Sequence, residues 1–454
     1  MNITAFIFSI FALQGLCLIV GGKSSKSMSS QEDYFLAGKG ISFFPLLMTF
    51  LATQVGGGII LGATEEAYRY GWPILLYPLG ASLGLIFLGL GVGRKLAQLK
   101  ISTIAQIFET VYGSPKLKKL ASILSMLSLF MILVAQIIAS NKFMVSLGVT
   151  SPLLFISFWG LVIFYTAMGG LKAVVATDVI QAFFFIIVFA MAFGLIASNL
   201  SISEMQSLGE TPQAFSFQMD KLFGWLFMPL LFMVIEQDMG QRCFAAKSPK
   251  VVTAATLCAA IGTFLLGLIP IFLGLLAKVK GIEPPIGGSV LMTVIEKMTS
   301  PIFTALVASA ILAALISTSD SLINAISSNL TQDFDFQLTK KSVRSAQVLS
   351  TLIALFAILF SYYFNNIVDL LIQSYELSVS CLFVPIIFAI FKPRGNALSA
   401  GIAIIFGALG FVLFRIYPLM LPKEVLSLLL SLAGYFLGEY CNKLSYERRS
   451  IEIN

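Results

Sequence analysis

The sequence predicts an all-α, polytopic membrane protein of about thirteen transmembrane helices, and three observations lead there. Of its 454 residues, 58% are hydrophobic and only 11% are charged, a balance that overrides the domain count a soluble chain of this length would suggest. Apolar runs of about 20 residues, each long enough to cross roughly 30 Å of hydrocarbon, recur along the chain and leave no stretch for a separate soluble domain. The lysines and arginines gather on alternate loops, as spans threaded through a bilayer require.

Charged and Gly/Pro breaks place the helices at about 2–22, 42–63, 72–93, 120–145, 152–170, 174–198, 220–241, 251–276, 302–328, 344–363, 367–391, 397–416 and 424–440. With the N-terminus outside, 21 of the 29 Lys and Arg fall on the inner side, among them Lys23, Lys26, Lys39, Arg94, Lys95, Lys118, Arg242, Lys340, Lys341 and Arg394. Arg69, Lys142, Lys221 and five others stay outside. This asymmetry predicts N-out, C-in, an odd number of spans and residence in the plasma (inner) membrane. The net charge of +7 is therefore topological, and no nucleic-acid partner is implied. The first run, residues 3–20, lacks a basic n-region and a small-residue cleavage site, so it reads as a helix rather than a signal peptide.

Other chemistry loses ground. The chain has no histidine, which removes the commonest proton shuttle and transition-metal ligand. Five scattered cysteines, Cys17, Cys243, Cys258, Cys381 and Cys441, show neither a disulfide framework nor metal-ligand spacing. Without a nucleophile-base pair, an enzyme is not expected. Loops are short except 94–119, 199–219 and 329–343, so function must sit within the bilayer or at its rims.

Three segments break the apolar pattern. In the second span, Ala52-Thr53-Gln54-Val55-Gly56-Gly57-Gly58 is a poor continuous helix, and an unwound segment at mid-depth would expose carbonyl oxygens, as in carriers that bind ions there. Close helix packing through the glycines is the alternative. In the ninth span, Ser317, Asp320, Ser321 and Asn324 recur at spacings of three and four, making one oxygen-rich stripe of the hard ligands an alkali cation accepts. Hydroxyls bonding back to their own helix are the alternative, but an intramembrane carboxylate marks function by default. The third segment runs from Gly169-Gly170 to Thr177-Asp178-Val179-Ile180-Gln181; Asp178 is either a ligand or a complement to the helix N-terminus. Glu236, Asp238 and Arg242, near the inner end of the seventh span, read as a gate or interfacial ion pair, and Asp369 and Glu376 stay unassigned.

Together these segments resemble the sodium:solute symporter family. The resemblance covers nearly the whole chain and rests on Asp33-Tyr34-Phe35-Leu36-Ala37-Gly38-Lys39, Gly169-Gly170 through Gln181, Gln241-Arg242, and Ser317-Thr318-Ser319-Asp320-Ser321, in that order. It implies the leucine-transporter-type 5+5 inverted-repeat fold, with halves at 42–198 and 220–391 separated by the outer loop 199–219. Residues 1–41 would hold a peripheral helix and inner loop, and 392–454 two peripheral helices and a short cytoplasmic tail. It also implies a principal sodium site at Ala52, Val55, Ala314, Ser317 and Thr318, and a second cation site at Asp178, Ser317, Asp320 and Ser321, although a carboxylate pair can instead share a proton. The implied solute pocket comprises Gln54, Gly57, Gly58, Tyr77, Phe232, Glu236 and Gln373. Ile59 and Pro78 stand where sugar-carrying members are polar, so the solute expected is an amino acid such as proline, or a small carboxylate.

The function expected is sodium-coupled symport of a small organic solute into the cytoplasm by alternating access, with sodium as the co-transported ion and no obligate protein partner implied. A proton-coupled carrier of the same fold, a passive channel and a membrane nutrient sensor are the alternatives. A sensor would need an output domain, for which the tail after Tyr440 is too short.

Overall fold

The computed structural model describes residues 2–25, 31–148, 151–209, 219–334, 343–392, 396–417 and 419–452. Lys26, Lys340, Lys341 and Arg394, and part of the outer loop (210–218), lie outside the described residues. Among the described residues there is no strand, only an isolated bridge between Ile41 and Ala246. This is the expected outcome in hydrocarbon, where each backbone polar group must be satisfied within its own segment.

Among those residues, nine helices are long and apolar enough to cross a bilayer, and the number rises to eleven if two bent pairs are each one span. Thirteen is not reached on that measure. The expected spans at 152–170 and 344–363 do form helix, and the first is one of two helices that meet across a kink at Gly170 within Pro152–Ala197. The second is the helix Val343–Ser361, apolar over Gln347–Ser361.

At the centre lies Pro301–Asp333, whose apolar window is 83% buried, against 17% for Thr4–Ser24 and 33% for each of the last two spans. Its Ala and Ser side chains let neighbouring helices come close, and it packs on Pro115–Ser146 and Pro152–Ala197. Two breaks face this central helix. Phe43–Gln54 stops at Val55 (φ −87°, ψ 61°), and the chain resumes as the π-helical Gly58–Gly62 and then Ala63–Tyr70, bent by 50°. Lys221–Ile235 and Gln237–Ala245 meet at 43° across Glu236, which is extended (φ −65°, ψ 129°). The second break departs from the continuous helix expected over 220–241. Its local signal is the polar run Glu236-Gln237-Asp238, whose first residue takes the N-cap position of a new helix.

The glycine pair marks the break expected there, as a sharp kink at which two helices meet. Gly170 has φ 55° and ψ −176° inside Pro152–Ala197, a region open essentially to glycine alone. A Cβ there would lie 2.7 Å from the Tyr34 carbonyl oxygen, so backbone and neighbour both demand glycine. Gly170→Ala is expected to cost about 1–3 kcal/mol from backbone strain alone, read as a lower unfolding midpoint in detergent. A variant with the wild-type midpoint would show that this kink relaxes freely.

Candidate functional site

A helix that ends in mid-membrane leaves its last carbonyls without intrahelical partners. Here those carbonyls belong to Ala52 and Thr53, and the ninth span meets them. Ser317 Oγ lies 3.0 Å from the Ala52 oxygen and 3.0 Å from that of Ala314. Thr318 Oγ1 is 3.2 Å from Ala52 O, 3.1 Å from Thr53 O and 3.1 Å from Ala314 O. Each hydroxyl has one proton to donate, so two protons serve three carbonyls and two hydroxyl oxygens. Such a proton-poor group of hard oxygens can turn its lone pairs onto an alkali cation. Of the five residues expected for the principal sodium site, Ala52, Ala314, Ser317 and Thr318 converge. Val55 sits at the helix end, its N–H bonded to Leu51 O.

The three glycines are explained by proximity. A Cβ on Gly56 would lie 2.4 Å from Thr318 Oγ1, one on Gly57 2.7 Å from Ala139 Cβ, and one on Gly58 2.4 Å from Leu371 Cδ1. Close packing and exposed carbonyls, posed as alternatives by the sequence, thus coincide. Gln136 steadies the break by accepting the Gly57 N–H at 2.7 Å.

One turn deeper, the residues of the second expected site part company. Asp178 Oδ2 accepts from Thr49 Oγ1 at 2.5 Å, while Asp320 accepts from Thr166. Arg242 fills the ground between the others: its Nη2 donates to Ser321 Oγ at 2.6 Å and to Thr53 Oγ1 at 2.5 Å, and stands 3.5 Å from Asp178 Oδ2. Its Nε donates to Thr49 Oγ1 at 3.0 Å, and Nη1 pairs with Asp238. Arg242 is fully buried, not at the inner rim where the positive-inside count put it. The ion pair with Asp238 read from the sequence is present, but it lies inside the molecule. The neighbouring Gln241 donates to Phe35 O at 2.6 Å, and Tyr34 lies against Gly170, so the first sequence motif packs on the second and third.

Toward the other side of the break lies a cavity of about 30 Å³, lined among others by Gln54, Gly58, Tyr77, Gln136, Glu236 and Tyr375. That is room for about two waters, so the protein is closed around it. Tyr77 and Tyr375 approach to 3.4 Å between hydroxyls, and Phe232 stacks on Tyr375 with centroids 4.6 Å apart. Gln54, Gly58, Tyr77 and Glu236 line the cavity as expected of a pocket. Gly57, Phe232 and Gln373 do not: Gly57 is turned to Gln136, Phe232 lies behind Tyr375, and Gln373 is off the lining. Sequence reading missed Gln136, a lone amide in the apolar run 131–139 that could have been noticed. It also missed Tyr375, which has no local signal.

A model of the sodium:solute symporter family matches residues 34–407. The chain belongs to the sodium:solute symporter family. Members of the family are transporters, and sodium is their co-transported ion. Among similar proteins, the sodium/pantothenate symporter of Haemophilus influenzae is 26% identical over 459 aligned positions, 90% of this chain and 90% of the relative. The high-affinity choline transporter 1 of Drosophila melanogaster is 26% identical over 291 positions, 60% of this chain, and the match spans only 46% of that relative's length. A solved Na+-coupled sialic acid symporter, in a substrate-bound outward-open state, superposes with a TM-score of 0.77 at 20% identity, covering 96% of this chain and 98% of its own. The nucleobase-cation-symport-1 family transporter MHP1, in a closed conformation, follows with a TM-score of 0.63 at 14% identity, covering 89% and 93%. At these identities the structures establish the fold of this symporter-family chain, the leucine-transporter type.

Proposed function

We propose that this chain is a sodium-coupled symporter that carries a small organic solute into the cytoplasm by alternating access, N-terminus outside and C-terminus inside. The observation that carries the reading is the meeting of the Ser317 and Thr318 hydroxyls with the Ala52, Thr53 and Ala314 carbonyls. Sodium held by Ala52, Val55, Ala314, Ser317 and Thr318 would pin the broken second span to the ninth and raise the population of the solute-binding state. Linkage then requires the solute to tighten sodium by the same factor.

The halves 42–198 and 220–391 each begin with a bent span, which supports an inverted repeat whose two discontinuous helices frame the binding region. A second cation at Asp178, Asp320 and Ser321 would require Arg242 to leave Asp178 and Ser321. Each positive charge moved inward draws about 2.3 kcal/mol from a 100 mV membrane potential. The relatives' solutes, pantothenate and choline among them, are too varied to name this one.

The test is uptake into proteoliposomes across a solute panel, under an inward sodium gradient, an equal potassium gradient, or a proton gradient. Concentrative uptake that needs sodium is the expected result. Uptake driven by protons in the absence of sodium would replace this reading with the proton-coupled carrier.

A further inference from the structure

The cavity above the broken helices contains an unexplained group. Glu236 sits on the break of the seventh span, is 6% exposed and lines the cavity. Among the described residues no side chain donates a hydrogen bond to its carboxylate and no cation pairs with it. Arg242, the nearest guanidinium, is committed to Asp238, Thr49, Thr53 and Ser321. Asp238 also lines the cavity, and its second oxygen, Oδ2, has no partner.

Burying a carboxylate without a counter-charge is expensive, and a protein retains one where something else supplies the charge. The wider balance points the same way. Around the two breaks, Asp178, Glu236 and Asp238 are buried beside Arg242, the one buried cation facing them among the described residues. With all three ionised the excess is two negative charges. A principal sodium would leave one still unmatched. The remaining cavity wall includes Tyr77 and Tyr375, aromatic faces of the kind that attract ammonium groups. Among the described residues no lysine or arginine lines the cavity, so a carboxylate would enter with no cation to meet it.

We infer that the solute carries a compact ammonium group, held by Glu236 and flanked by Tyr77 and Tyr375, and that a purely anionic carboxylate is excluded. This rests on the reading of the cavity as the solute site of a sodium symporter. It agrees with the amino acid expected from sequence and departs from the alternative, a small carboxylate, because the charge of the pocket depends on which groups pair elsewhere. In the closed arrangement the cavity is too small for such a head, so Tyr375 and Tyr77 must part to admit it.

Thermal unfolding of the protein in nanodiscs, with sodium present, tests this using choline, its uncharged carbon isostere dimethylbutanol, and the anion dimethylbutyrate. Choline should stabilise at concentrations roughly tenfold or more below those of the isostere, and dimethylbutyrate not at all. Glu236→Gln should abolish choline's advantage while leaving stabilisation by sodium alone intact, because Glu236 is not among the oxygens around Ala52. Glu236→Asp, which keeps the charge, should retain part of it. Equal effects of choline and its isostere, stabilisation by the anion, or no effect of choline would each overturn the inference. Absence of any sodium stabilisation in the wild type would overturn the symport reading, and this inference with it.

Discussion

Replacing Arg242 by methionine is expected to destabilise the protein by roughly 3–5 kcal/mol, the cost of breaking a buried ion pair from one side. That is a large share of the 5–15 kcal/mol typical of folded proteins. The guanidinium joins Thr49 and Thr53 on the broken helix, Asp178 on the kinked helix, Asp238 on its own and Ser321 on the central helix. Methionine keeps most of the volume but strands Asp178 and Asp238 as buried charges. Two further results follow from that cause. Adding Asp238→Asn to the same chain should recover part of the loss, since deleting both partners is cheaper than deleting one. Sodium should also stabilise Arg242→Met more than it does the wild type, because Asp178 and Ser321 become available oxygens, whereas potassium serves as the control. Unfolding midpoints in detergent measure both, and a variant as stable as the wild type would mean that this network carries little of the fold's stability.

The double substitution Ser317→Ala/Thr318→Ala should affect ion binding far more than folding. Both hydroxyls donate to the carbonyls of Ala52 and Thr53 at the helix break, so their removal costs about 1–3 kcal/mol in unmet carbonyls. Sodium affinity should fall on the order of a hundredfold or more. Changes in the outer shell of a metal site already cost 10–100-fold, and here two direct ligands are lost. The measurement is the sodium concentration that half-saturates solute uptake. An unchanged half-saturation would move the ion elsewhere.

Much of this site was legible because local composition forced it. Three glycines beside Thr53 and Gln54 cannot make a sound mid-membrane helix, and Ser317, Thr318 and Asp320 are costly in an apolar one. Both positions follow from one-dimensional physics. The fate of Arg242 was not legible, because a basic residue after an apolar run looks the same whether it snorkels to the inner surface or turns inward to two carboxylates. Only tertiary pairing decides, and it decides the second cation site as well, since Arg242 stands between Asp178 and Ser321. The break at Glu236 was hidden for a similar reason: a helix with a polar end and a helix interrupted one turn earlier share the same run of residues. By contrast, the division of 152–198 near Gly170 was legible, because a glycine pair in an apolar run marks a break, and two helices do meet there across Gly170.

Binding of radioactive sodium to the purified protein, in wild type and in Ser317→Ala/Thr318→Ala, tests most directly the claim that the ion sits between the broken second span and the ninth. Saturable binding in the wild type that potassium does not displace, and its loss in the double variant, are expected. Binding that survives the substitution, or that potassium displaces equally well, would contradict it.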